Sequence, residues 1–297
     1  MPRNALNERD LRALRTFREA AFAGGFSAAE RRLNMTKATI SRQIKDVEER
    51  LGVRLCTRGP QGFELTDAGR RALALAGDAL DALDRIMPEM MQVKGIVTGK
   101  LSLGLSDNTI GNPMSCVSCA LSVLQQQAPH VDISVSIMTT DVMIQALLDR
   151  RLDVAVRGVS ERMTSLEYIE LFQEYQRIYY SPRSHTPADV HALPLVYRPS
   201  HGLVHNALTQ HGFEKGPSAL GLEAVATLIL TGRCCGMLPV HYAKMLAVTM
   251  PIEEVPRSPE YVIPFCAVIN PTRPLTPSAS LLMELLKAHA DTPTEGA

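Results

Sequence analysis

The sequence predicts a multidomain α+β chain: a small helical head closed by a β-hairpin, a long linker helix, and a two-lobed α/β body. Three observations carry this. Basic residues gather at one end. Residues 1–70 hold 14 Lys and Arg against 9 Asp and Glu, and the rest of the chain holds 17 against 22, so a net charge of zero conceals a basic head on an acidic body. Apolar residues recur at three- and four-residue spacing through the head and again beyond residue 67. From Gly99 onward, short β-type runs alternate with helical segments, the order of a parallel sheet with right-handed crossovers. A length of 297 residues, with 45% hydrophobic and 21% charged side chains, is enough for two or three domains with real cores.

In the head, Leu11, Leu14, Phe17, Ala21 and Phe22 outline an amphipathic helix that Gly24-Gly25 ends. Ser27 is expected to cap a short second helix, Ala28 to Leu33, with Glu30 in the capping-box position. After a tight turn at Asn34-Met35, Thr36 is expected to cap a third helix that runs to Leu51 and stops at Gly52. Its apolar stripe is Ile40, Ile44, Val47 and Leu51, and its other faces carry Lys37, Ala38, Thr39, Ser41, Arg42, Gln43 and Lys45. Val53 to Leu65 reads as a hairpin that turns near Gly59–Gly62 and carries Arg54 and Arg58. A short helix, a tight turn, a longer helix with a basic N-terminal half and then an Arg-bearing wing make a winged helix-turn-helix. The major groove of duplex DNA admits one such helix, and wing arginines reach phosphates or the minor groove.

The string Gly25-Phe26-Ser27-Ala28-Ala29, Leu33, Ser41-Arg42-Gln43-Ile44, Glu48, Leu51-Gly52, Leu55, Arg58 and Leu65-Thr66-Asp67-Ala68-Gly69 resembles the LysR-type transcriptional regulators. It departs at Cys56, where the family usually has Phe, and at Lys37-Ala38, where Gln-Pro or a similar pair is common. The resemblance implies a DNA-binding regulator, not an enzyme, with Ser27, Thr36, Lys37, Ala38, Thr39, Ser41, Arg42, Lys45, Arg54 and Arg58 at the DNA. The domain boundaries expected are 1–66 for the head, 67–95 for the linker helix, 96–164 and 165–264 for the two lobes, and 265–297 for the return to the first lobe.

Thr66 is expected to cap the linker helix. Leu73, Ala76, Leu80, Leu83, Met87 and Met90 form a heptad seam whose natural partner is a second copy, and the family uses this segment to dimerise. Pro88 predicts a kink or stop near Met87. A dimer or tetramer would set two recognition helices on a roughly palindromic double-stranded site.

In the body, strands are expected at Lys100–Leu105, Val131–Ile137 and Asp153–Val156, with helices at Cys116–Gln127 and Val142–Leu148 between them. Glu167 to Ser181 reads as two strands and a turn. Leu195-Val196, Leu203–Gln210, Leu222–Leu230 and Cys234–Leu238 form a second α/β unit, and Val262–Ile269 and Ser278–His289 close the chain as strand and helix. Two such lobes enclose a cleft, and ligands bind there at the carboxyl ends of strands. The family resemblance extends through Gly99-Lys100-Leu101, Leu152-Asp153-Val154-Ala155 and the stretch from Gly232 to Pro239, and it implies an effector domain similar to periplasmic binding proteins. Ser106, Asp107, Asn108, Thr139, Thr140 and Arg157 follow strand ends and are the candidates for a small anionic effector of unnamed identity, with no other cofactor expected. For Ser106 and Thr139 helix capping is the other reading, and for Arg157 a surface ion pair.

Rival chemistries remain open at two places. Cys116 and Cys119 form a C-x-x-C near a helix start, where a lowered thiol pKa would make a redox or thiol-reactive sensor; the alternative is two small apolar residues facing the sheet. His201 and His205, within a run that also holds His185, His191 and His211, have the spacing of a metal pair, though no third ligand stands at fitting spacing except Glu214. The chain lacks a phosphate-binding glycine loop, a nucleophile elbow and a zinc-protease His pair. Trp is absent and aromatics are 5%, which disfavours a base-stacking single-strand module. No apolar run reaches the length of a membrane span and the polar N-terminus does not read as a secretory signal, so the cytoplasm is the expected compartment.

Overall fold

The computed structural model describes residues 5–59, 62–183, 189–199 and 201–290 and forms two compact units, 1–87 and 88–297. In the first unit, helix α1 (Glu8–Phe22) opens on a capping box in which Asn7 accepts from the Asp10 N–H and Asp10 accepts from the Asn7 N–H. Helix α2 (Phe26–Leu33) starts one residue before Ser27, so the expected Ser27–Glu30 box does not form. Burial of Phe26 draws it into the helix and leaves Gly25, at φ 146°, as the cap. Glu30 instead accepts a hydrogen bond from the backbone N–H of Lys37 and ties α2 to the next helix. Asn34, left-handed at φ 50°, closes α2.

Helix α3 (Lys37–Leu51) is capped by the Thr36 hydroxyl, which accepts from the Thr39 N–H at 3.3 Å, and it ends on left-handed Gly52. Ile40, Ile44 and Val47 are buried against α1 and α2, whereas Leu51, expected in the same stripe, lies past the last buried turn and is exposed. Strands β1 (Cys56–Gly59) and β2 (Gly62–Leu65) form the antiparallel wing with Cys56 opposite Leu65. The expected turn residues Pro60 and Gln61 lie outside the described residues, as does the Arg58 side chain. Cys56 is buried in the head core with Leu55, and Phe63 packs on Phe26 at 5.5 Å between ring centroids. Glu48 fastens the wing to α3 by accepting from the N–H groups of Leu55 (2.7 Å) and Cys56 (3.3 Å).

Helix α4 (Asp67–Val93) is capped by Thr66, whose hydroxyl accepts from the Gly69 N–H and donates to the Arg54 carbonyl. Gly69 has no alternative here, because a Cβ would lie 1.8 Å from the Leu55 carbonyl oxygen. Two expectations for this helix are corrected. It does not stop at Met87 but runs through Pro88 to Val93, since a proline near the helix end removes a single i to i−4 hydrogen bond. The heptad seam also divides. Ala76 and Leu80 are buried in the head core, and Arg15–Asp84 and Arg18–Asp81 ion pairs hold α1 to this part of the helix. Leu83, Ile86, Met87, Met90 and Val93 remain exposed.

In the second unit, strands β3 (Thr98–Leu105), β4 (His130–Ile137) and β5 (Val154–Gly158) are parallel, with helices α5 (Val117–Gln127) and α6 (Thr140–Leu148) as crossovers. Strand β6 (Glu167–Tyr180) is one continuous strand, not the two with a turn that the sequence reading expects; no Gly, Pro, Asn or Asp interrupts it. Beyond it come β7 (Leu195–Tyr197), α7 (Gly202–Gln210), β8 (Lys215–Ser218), α8 (Leu222–Ile229), β9 (Gly236–Pro239), α9 (Val240–Ala247), β10 (Glu253–Glu254), β11 (Tyr261–Ile269) and α10 (Pro277–Ala290). Of these, β8, α9 and β10 were not expected.

The main sheet has the order β10-β6-β11-β5-β3-β4, with β9 also paired to β6. Strands β6 and β11 pair antiparallel along their lengths and serve both lobes: β11 carries on to β5 in the first, and β6 to β9 and β10 in the second. The expected boundary at 264/265 therefore falls inside a single strand. Apolar clusters flank the first lobe on both faces, one with α5 and α10 and one with α6, and two more fill the second lobe.

Candidate functional site

The head offers one face without apolar cover. On α3, Lys37, Ala38, Arg42 and Lys45 are exposed, Thr39 and Ser41 are half-buried, and Thr36 is exposed at the cap. Lys45 leans on Glu49 at 3.5 Å, a pair with both side chains mostly in solvent and of little energetic weight. Gln43 is drawn inward instead, accepting a 2.6 Å hydrogen bond from the Thr16 hydroxyl, so it fixes the angle of α3 on α1. Ser27 is exposed on the first turn of α2, and Arg54 is exposed just ahead of β1. The N-terminal half of α3 thus presents a polar and basic row held on a rigid base by Gln43, Glu30 and Glu48.

In the second unit, a cavity of about 70 Å³ opens between the lobes. From the candidates, Ser106 and Asp107 after β3, Thr140 at the start of α6 and Arg157 on β5 line it. Arg157 is 4% exposed, its Nε donates to the Gly158 carbonyl at 3.0 Å, and its Nη1 is buried without a partner. Burial pulls its pKa below the ordinary guanidinium value. The surface ion-pair alternative is not what the fold builds, since Arg157 is buried and no carboxylate among the described residues pairs with it. Asn108 and Thr139 are not in the lining. Asn108, left-handed at φ 58°, turns its amide to His241 at 3.1 Å, and Thr139 stands at the N-cap of α6 without a side-chain capping bond.

Most of the lining comes from elsewhere. Glu174 and Gln176 project from one face of β6, and Arg198 and His201 come from the loop between β7 and α7. The polar residues Glu174 and Gln176 share one face of β6, but β6 carries other polar side chains too, and a strand read as two with a turn does not set these on one face. Gln176 Nε2 donates to Glu174 Oε1 at 2.9 Å and Asn112 Nδ2 to Oε2 at 3.4 Å, yet burial still lifts the Glu174 carboxyl to about 7. Gln176 Oε1 is buried without a donor. Burial, with Arg198 nearby, holds His201 neutral by lowering its pKa to about 3. Asp107 crosses from the first lobe to accept the Leu222 N–H at the start of α8, and so links the lobes beside the cavity.

The rival chemistries fare differently. Burial raises the Cys116 thiol, with Cys119 adding to the effect, which is the reverse of the activation a thiol sensor needs. His201 faces the cavity and His205 is exposed on α7, while His185 lies outside the described residues. Among the described residues no three His, Cys, Asp or Glu side chains are grouped to hold a metal. Among the described residues no helix is long and apolar enough to cross a membrane.

Comparison with known proteins bears on both units. The family description "Bacterial regulatory helix-turn-helix protein, lysR family" matches residues 11–70, and "LysR substrate binding domain" matches residues 94–291. The HTH-type transcriptional activator BauR of Pseudomonas aeruginosa is 34% identical over 244 residues, covering 79% of this chain and 80% of its own. A probable cat1 operon transcriptional activator of Acinetobacter lwoffii is 30% identical over 237 residues, covering 72% and 77%. The full-length CbnR structure solved with its target DNA shares the fold at a TM-score of 0.58 and 21% identity, over 94% of this chain and 99% of that one.

Proposed function

The chain belongs to the LysR family of bacterial transcriptional regulators, and from that premise we propose how its two ends divide the work. Helix α3 enters the major groove, with Lys37, Ala38 and Arg42 at base edges and Thr36, Thr39, Ser41 and Lys45 at the groove walls. Ser27, Arg54 and Arg58 take phosphates or the minor groove. The observation that carries this is the exposed basic row on the first half of α3, directly followed by a wing pinned to that helix through Glu48. The exposed apolar residues of α4 from Leu83 onward pair with a second copy, and the dimer or dimer of dimers reads two half-sites. The chain acts by binding rather than catalysis, and in the cytoplasm, where its duplex is.

The effector cavity is the space around Arg157. A buried guanidinium with an unpartnered Nη1 beside the Ser106 and Thr140 hydroxyls is built for an anionic group. Ligand binding there biases the lobes and, through α4, the spacing of the two heads. A pair of variants tests the division. Arg42→Ala should lose preference for a selected duplex while keeping ligand-induced thermal stabilisation, and Arg157→Ala should do the reverse. An Arg42→Ala protein that protects the same duplex at unchanged affinity removes the groove assignment.

A further inference from the structure

The cavity lining asks for more than an anion. Arg157 Nη1 is a buried donor without an acceptor, and Gln176 Oε1 is a buried acceptor without a donor. Both side chains are at most 4% exposed, and both line the same space of about 70 Å³. The Gln176 amide has its orientation set by donation from Nε2 to Glu174, which leaves Oε1 as the acceptor that needs filling. A plain carboxylate answers the first vacancy and leaves the second; an amine does the opposite. Unfilled buried polar atoms carry the full desolvation cost, so the occupant that fits is one that brings an acceptor and a donor together.

Charge leads to the same answer. Two guanidiniums, Arg157 and Arg198, share the lining with two carboxyl groups, Asp107 and Glu174, and His201 is neutral. With Glu174 ionised, a ligand with one charge of each sign keeps this balance, while a monocarboxylate matches the lining only with Glu174 protonated. Size sets the scale. At about 10–15 Å³ of such space for each water, the cavity holds roughly five to seven waters, equivalent to a handful of heavy atoms.

We propose that the effector is a short amino acid, its carboxylate on Arg157 with Ser106 and Thr140, and its ammonium on Gln176 Oε1 and the Glu174 carboxylate. This rests on the effector-cavity reading above and narrows it to one ligand class. A second consequence is independent of affinity. Glu174 is surrounded by Asn112, Gln176 and Ile263 and lies in the field of Arg198, Asp107 and His241; it is partly protonated near neutral pH, and an arriving ammonium holds it ionised. Binding at pH 6.5 therefore releases a fraction of a proton to the buffer.

Titration calorimetry of the full-length protein tests this with glycine, 3-aminopropanoate and 4-aminobutanoate against acetate, propanoate and butanoate, each in two buffers of different ionisation enthalpy. The expected result is that at least one amino acid binds tenfold or more tightly than its matched carboxylate, with proton release. Glu174→Gln should abolish that release and erase most of the preference. Carboxylates that bind as tightly as the amino acids overturn the amino-acid assignment and leave the anion site standing. Binding of neither series overturns the assignment together with the cavity reading beneath it. The wild-type comparison decides the matter even if the variant is unstable.

Discussion

Glu174 and His201 face one cavity and titrate in opposite senses, and this makes Glu174→Gln a quantitative test of the buried network. Burial lifts the Glu174 carboxyl from its usual 4.5 to about 7, and burial with the Arg198 charge lowers the His201 imidazole from 6.5 to about 3. Between pH 4.5 and 6.5 the folded protein keeps a proton on Glu174 that the unfolded chain has released, so this group alone makes stability fall as pH rises. Over the same window the unfolded chain carries a His201 proton that the folded protein lacks, so this group alone makes stability rise with pH. Each contributes a slope of about 1.4 kcal/mol per pH unit, and the two oppose each other. Glutamine preserves the volume and an acceptor for one of the two donors, Asn112 or Gln176, but removes the titration. Relative to wild type, the variant should therefore gain stability as pH rises, by about 3 kcal/mol between pH 4.5 and 7. His241, 3.9 Å from Glu174 and lowered by its own burial, is present in both proteins and drops out of the difference to first order. Urea unfolding followed by far-UV circular dichroism at four pH values gives the two curves. Parallel curves would refute the claim that Glu174 is buried and protonated in the folded state.

Two further outcomes follow from packing. Gly69→Ala places a Cβ 1.8 Å from the Leu55 carbonyl oxygen, so either the wing or the start of α4 must move; the head should lose about 3 kcal/mol by denaturant unfolding, and an unchanged midpoint would contradict the contact. Leu83→Lys combined with Met87→Lys alters side chains that are 43% and 66% exposed, so the monomer fold should survive. Analytical ultracentrifugation should show loss of self-association, and an unchanged oligomer would place the contact elsewhere.

The head was legible almost element by element, because its signals are local. Thr36, Gly52 and Thr66 cap or stop helices where the sequence places them, and the apolar stripe of α3 needs no partner to be recognised. The misses there came from tertiary competition. Phe26 gains more from burial than Ser27 does from capping, and Ala76 and Leu80, which fit a seam between two copies, are claimed by the head's own core. In the body, strand ends located Ser106, Thr140 and Arg157 at the cavity because parallel strands deliver loop residues to one edge. Glu174, Gln176, Arg198 and His201 arrive from antiparallel β6 and from a distant loop, and no local spacing marks residues brought together by pairing at long range. Asn108 shows the converse: it has the right place in the sequence, but its left-handed backbone turns the amide to His241.

The central claim, that α3 and the wing read duplex DNA, is tested most directly by selecting duplexes from a random pool with the full-length protein and titrating the selected duplex against salt. With Lys45, Arg54 and Arg58 assigned to groove walls and phosphates on each of two copies, roughly four to six phosphates should be neutralised, giving log K against log salt a slope of about −4 to −5. Enrichment of a roughly palindromic duplex with that slope is the predicted result. No enriched duplex at low salt, or an affinity indifferent to salt, would contradict it.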